Sequence, residues 1–170
     1  LAIGFLPMVE MELVGVRLEV PANSPIVLLR EKTDRPRVLP IYIGGPEAAA
    51  IAYALEGVVT PRPLTHDLLK NLLDELAVSL QRVVVTELRE HTFYAELELV
   101  LGGAVHRLSS RPSDAIALAA RTGTPIFCAE SVLDECARRP EEEETGEEAD
   151  GLVDEFREFI ENVSPEDFAG

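Results

Sequence analysis

The sequence is poor in the residues that usually announce a chemistry. Cysteine occurs twice, as Cys128 and Cys136, with no zinc-type spacing around either, which points to a reducing cytoplasm rather than to a metal knuckle or a disulfide framework. No charged segment leads into a long apolar run. The opening LAIGFLPM is far too short to cross a bilayer, so it reads as a lead-in to the first strand or as an upstream start artefact, and no membrane role is expected. Walker, dinucleotide-binding and nucleophile-elbow patterns are missing, and there is no internal repeat. Lysine is scarce too: 2 residues beside 13 arginines, so that 15 basic side chains face 31 acidic ones and the net charge is -16. A phosphate-binding protein normally carries the opposite balance, because basic side chains displace the counterions.

The acid is unevenly spread. Residues 1 to 136 hold 12 Lys and Arg against 18 Asp and Glu, whereas residues 137 to 170 hold 3 against 13. ARRPEEEETGEEADG has no apolar period, which predicts an acidic, disordered linker over 137–150. LVDEFREFIENV restores a period: Leu152, Val153, Phe156, Phe159, Ile160 and Val163 share one face of a helix expected over 151–163. So short a helix is marginal alone and is expected to dock on the domain, on a second subunit or on another protein.

Within residues 1–136 the periods change along the chain. Val9, Met11 and Leu13 alternate with Glu10 and Glu12, and SPIVLLRE and RVLPIYIG follow across a charged turn, which predicts an opening meander of strands. GGPEAAAIAYALEG switches to helical spacing, with Ala48, Ile51, Ala52 and Leu55 on one face, Pro46 in the first turn and Gly57 as the stop. A second helix is expected to start near Thr65, in a capping position, with Leu68, Leu69, Leu72, Leu73 and Leu76 as its apolar stripe and Asp67, Lys70, Asn71 and Asp74 opposite. QRVVVTELRE and TFYAELELVLGG read as an antiparallel pair, and Gly102 and Gly103 turn the chain into the short strand AVHRLS. A helix over about 112–122, closed by Gly123, leads to the strand PIFCA; strand, helix and strand so close together fit a parallel pair. The expectation is an α+β domain with a mixed, mostly antiparallel sheet and helices packed on it.

Three acids recur in one setting. Glu47, Asp67 and Asp114 each lie in the first turn of an expected helix, where an acid caps free N–H groups and complements the dipole, worth about 0.3 to 1 kcal/mol. Their neighbours allow more. Arg62, His66, Arg107 and Arg111 are close in sequence to Asp67 and Asp114, and a divalent cation with phosphodiester chemistry needs hard oxygen ligands beside cationic donors. If the loops converge, Asp67, Asp114 and Glu47 would hold Mg²⁺ or Mn²⁺, His66 would move the proton, and Arg62, Arg107 and Arg111 would take phosphate oxygens. His91, His106, Glu96, Glu98 and Cys128 lack spaced partners and suit turn, surface or core roles better.

LPIYIGGPEAAAIAYALEG, PRPLTHDLL and RLSSRPSDAIALAARTGTPIFCAESVL, in that order, resemble the bifunctional nuclease domain family of bacteria and plants, over about residues 9 to 136. The resemblance implies an α+β domain that self-associates, as a dimer or larger homo-oligomer, and a nuclease activity on DNA and RNA. Thr65-His66-Asp67 and Ser113-Asp114-Ala115 match the family's recurring segments. Two functions stand side by side at this level. One is a metal-assisted nuclease; the other is a non-catalytic oligomeric binding or regulatory module whose acidic tail engages a basic protein partner.

Overall fold

The computed structural model describes residues 7–139. Most of the expected linker, and the helix expected over 151–163, lie outside the described residues. The elements run β1 (Met8–Glu19), β2 (Ser24–Glu31), β3 (Val38–Tyr42), α1 (Gly45–Glu56), α2 (Thr65–Glu75), β4 (Ser79–Arg89), β5 (Thr92–Leu101), β6 (Ala104–Ser110), α3 (Pro112–Thr122), β7 (Ile126–Ala129) and α4 (Glu130–Cys136). The strands form one sheet in the order β3-β2-β1-β7-β4-β5-β6, antiparallel throughout except between β4 and β7. The α+β class and the mixed, mostly antiparallel sheet are as the sequence led us to expect.

The place of β7 differs from expectation. It does not pair with β6, the strand before α3; the chain crosses β5 and β4 and inserts β7 between β1 and β4. Burial explains the choice. Ile126, Cys128 and Ala129 are buried, as a short apolar strand at the middle of a sheet must be, whereas β6 is exposed along nearly its whole length and belongs at an edge. At the far edge, Val38 and Arg138 exchange two backbone hydrogen bonds of 2.7 and 2.8 Å, so the folded unit continues past residue 136.

One face of the sheet carries the core. Leu29, Leu39, Met11, Val83, Val85 and Ile126 meet Ile51 of α1, Ile116 and Ala117 of α3, and Leu133 of α4. Burying each such side chain contributes about 1.5 to 3 kcal/mol. Helices α1 and α3 are neighbours, with small Ala50 of α1 in the same buried cluster as Ala115 and Ala119 of α3, while Ala48 and Ala52 seat α1 on Val16 and Leu18 of β1. Arg37 fastens the β2–β3 connection to α4 by ion pairs to Glu31, Glu130 and Asp134 at 2.6–2.8 Å.

Two hairpins use two-residue loops. Gly102 and Gly103 take φ of 56° and 82° at no steric cost, but Glu90 and His91 adopt 49° and 62° with side chains attached. Glu90→Asn with His91→Gly is therefore expected to stabilise the fold by about 1 kcal/mol. A urea midpoint that rises with unchanged slope is the expected reading; a falling midpoint refutes the strain.

Candidate active site

Glu47, Asp67 and Asp114 all occupy the third helical position, of α1, α2 and α3. An acid there complements the positive end of the helix, which accounts for the residue type at each place. The cap of α2 is Leu64 rather than Thr65, and Asp67 Oδ2 reaches back to accept the Leu64 N–H at 2.9 Å. Glu47 folds over Gly44, so a side chain there would push its carboxylate aside.

Packing of α1 and α2 on α3 joins four of the expected residues. His66 Nε2 lies 2.9 Å from Asp114 Oδ1. Arg111 donates from Nε to Asp114 Oδ2 at 2.7 Å, and from Nη2 to Asp114 Oδ1 at 3.1 Å and Glu47 Oε1 at 3.0 Å. His66 is buried while the Arg111 side chain is 65% exposed, so the cluster has a buried floor and a solvent-facing cation at its mouth. Burial pushes the Asp114 carboxyl up, but hydrogen bonds from Arg111 and His66 outweigh it and hold the group below its ordinary range. Facing an ionised acceptor, the His66 ring carries its hydrogen on Nε2, which leaves Nδ1 as a proton acceptor in the neutral ring.

Asp67 goes elsewhere. Its Oδ1 accepts from Arg121 Nε at 2.6 Å, beneath the cluster, and Arg121 also donates to the carbonyls of Ala50 and Ala117 at 2.9 and 3.0 Å. Asp67, Asp114 and Glu47 therefore do not assemble as one ligand set, and among the described residues no group of three or more His, Cys, Asp or Glu is arranged to hold a metal ion. As placed, these residues do not fit Mg²⁺ or Mn²⁺, and no step through a metal follows from them. Arg107 is also apart: it sits on β6 with Glu98, 3.4 Å away, which in turn pairs with Arg82. Arg62 is exposed in the loop before α2. Cys128 is buried in β7 and its thiol is pushed up to about 12 by desolvation, as suits an inert core residue.

Arg121 is the residue that sequence reasoning overlooked. Its only signal is a spacing of seven from Asp114, which puts both on one face of α3. A cation in the last turn of a helix is otherwise explained by the dipole alone.

Asp67 and Asp114 both have folded-state pKa values lowered from 3.8. Depressed carboxyl groups contribute stability that is fully present above the ordinary value and lost as pH falls through the folded one. The protein is expected to lose stability below about pH 4, and Asp67→Asn should flatten that loss in acid-unfolding curves. An unchanged acid limb would exclude Asp67 as a contributor.

The bifunctional nuclease domain model matches residues 27–141 of the chain. The chain belongs to the bifunctional nuclease domain family. An uncharacterized protein of Mycobacterium tuberculosis (strain ATCC 25618 / H37Rv) is 44% identical to this chain over 163 residues, which are 94% of this chain and 97% of the relative. Bifunctional nuclease 1 of Arabidopsis thaliana is 28% identical over 115 residues, 66% of this chain but 35% of the plant protein. The bifunctional nuclease of Oryza minuta is 26% identical over 114 residues, covering 65% and 34%. This chain thus corresponds to about a third of the plant proteins.

Proposed function

We propose that this member of the family cleaves phosphodiester bonds of DNA or RNA at the cluster of Glu47, His66, Arg111 and Asp114. The observation that carries the reading is the hydrogen-bonded chain from His66 through Asp114 and Arg111 to Glu47, built from the N-termini of three helices. An ionised Asp114 orients His66 and stabilises the imidazolium formed when the ring takes a proton from the attacking water. Arg111, exposed and shared between two carboxylates, would exchange one of them for the phosphate, and the exposed Arg62 of the loop before α2 would be a second phosphate contact. Two free helix N-termini add N–H donors for the same oxygens.

A second reading is favoured by one feature: both Asp114 oxygens already accept from protein donors, as they would in a purely structural clasp. Purified full chain, assayed on labelled DNA and RNA with Mg²⁺, with Mn²⁺ and with chelator, separates the two. Cleavage that His66→Gln removes supports the nuclease; no cleavage under any condition leaves the clasp and a binding role.

The same proposal includes self-association through β6, a sheet edge where Val105 and Leu108 are exposed, with Leu101 at the end of β5 exposed as well. Light scattering is expected to give a dimer or larger assembly that Val105→Lys dissociates, and a wild-type monomer would remove this part.

A further inference from the structure

Helix α2 is fastened by its polar side. His66 is buried against Asp114 and Asp67 is tied to Arg121, both on α3. Its apolar side faces water: Leu68, Leu69, Leu72 and Leu76 are 61%, 40%, 50% and 57% exposed, on one continuous face. Scattered surface leucines are ordinary, but four on one face of a helix held by ion pairs mark a contact surface.

A second apolar face lies in the same chain. Leu152, Val153, Phe156 and Ile160 repeat the spacing of Leu68, Leu69, Leu72 and Leu76, one and four and eight residues on from the first. We propose that residues 152–163 dock on the leucine face of α2 of their own chain. Rows spaced by four residues on two helices interlock, which matches the shape of one face to the other. Reach is sufficient: the described chain leaves at Arg139 beside β3, four strand spacings or about 19 Å from β4, where α2 ends. The 12 residues 140 to 151 span up to about 40 Å. The area also favours a tethered occupant. Four half-exposed leucines fall well short of the about 800 Å² per partner that a stable dimer buries, whereas a tethered segment is present at an effective concentration near millimolar.

Asp154, Glu155, Glu158 and Glu161 fall on the side away from that apolar face. Docked, they would set a row of negative charge beside the helix that carries His66, opposing an approaching phosphate backbone. This consequence, unlike the docking, rests on the proposed nuclease function.

Hydrogen exchange by mass spectrometry on the full chain tests the docking. Phe156→Asp with Phe159→Asp is expected to speed exchange of the α2 amides roughly tenfold while α3 and β4 keep their protection. Leu72→Ser should likewise deprotect residues 152–163. Identical α2 exchange in wild type and the Phe variant overturns the proposal, as does α2 protection that falls on dilution, which would assign the face to a second copy. Cleavage that rises in the Phe variant supports the acidic screen. If the exchange result holds and neither protein cleaves, the docking stands and the nuclease reading falls.

Discussion

His66→Gln is expected to lower single-turnover cleavage of a labelled oligonucleotide by about 100-fold or more, the usual worth of a general base. The substitution is close in size, so the buried pocket stays filled. It also keeps a donor for Asp114 Oδ1, the bond now made by Nε2 at 2.9 Å, and so removes the proton acceptor without dismantling the cluster. Asp114→Asn attacks the same unit from the other side. An amide cannot stabilise the imidazolium or hold Arg111 through two charged bonds, so activity is expected to fall by a similar factor with about 1 kcal/mol of stability. Because the two residues act as a unit, the double variant should be little worse than either single one. Thermal unfolding of each variant provides the control. Equal cleavage by the wild type and all three variants would mean that the activity belongs to a contaminant and would dispose of the site.

Arg121→Leu is expected to cost about 2 kcal/mol, the largest stability effect of a single change here, because it strips the buried partner from a carboxylate that is itself 34% exposed. The guanidinium is only 7% exposed and touches all three site helices: its own α3, Asp67 on α2 and the Ala50 carbonyl on α1. Deleting it leaves a half-buried carboxylate without its counter-charge and the Ala50 carbonyl without its donor. Arg121→Leu with Asp67→Asn should recover part of the loss, since no charge is then stranded. Urea unfolding measures both. A single-variant cost below about 0.5 kcal/mol, the level of an ordinary surface change, would show that the clasp does not hold the helices.

Much of the fold was legible before any coordinates. Period two in Val9 to Leu13 and in Phe93 to Leu101, and helical spacing in Ala48 to Leu55, mark β1, β5 and α1 because a half-buried strand and a half-buried helix repeat differently. The site residues could be shortlisted for a similar reason, since an acid in a first helical turn is recognisable from its neighbours. Their partners could not. Glu47 meets Arg111 across 64 positions and Asp67 meets Arg121 across 54, and local sequence carries no record of such meetings. Nor does periodicity say which side of a helix docks. The leucines of α2 announce an apolar face, yet His66 and Asp67, on the other side, are what hold it down. The insertion of β7 was hidden likewise, because four residues are too few to show whether a strand is central or peripheral.

That insertion has a consequence for how the chain comes together during synthesis. β1 to β3 and β4 to β6 are each meanders whose partners are neighbours in sequence, so either group can form as soon as it leaves the ribosome. Among the described residues, only Ile126–Ala129 unites them into one sheet. The nascent protein is therefore two half-sheets with raw inner edges until β7 emerges, and any ribosome that stalls before residue 126 releases a product primed to pair with the wrong chain.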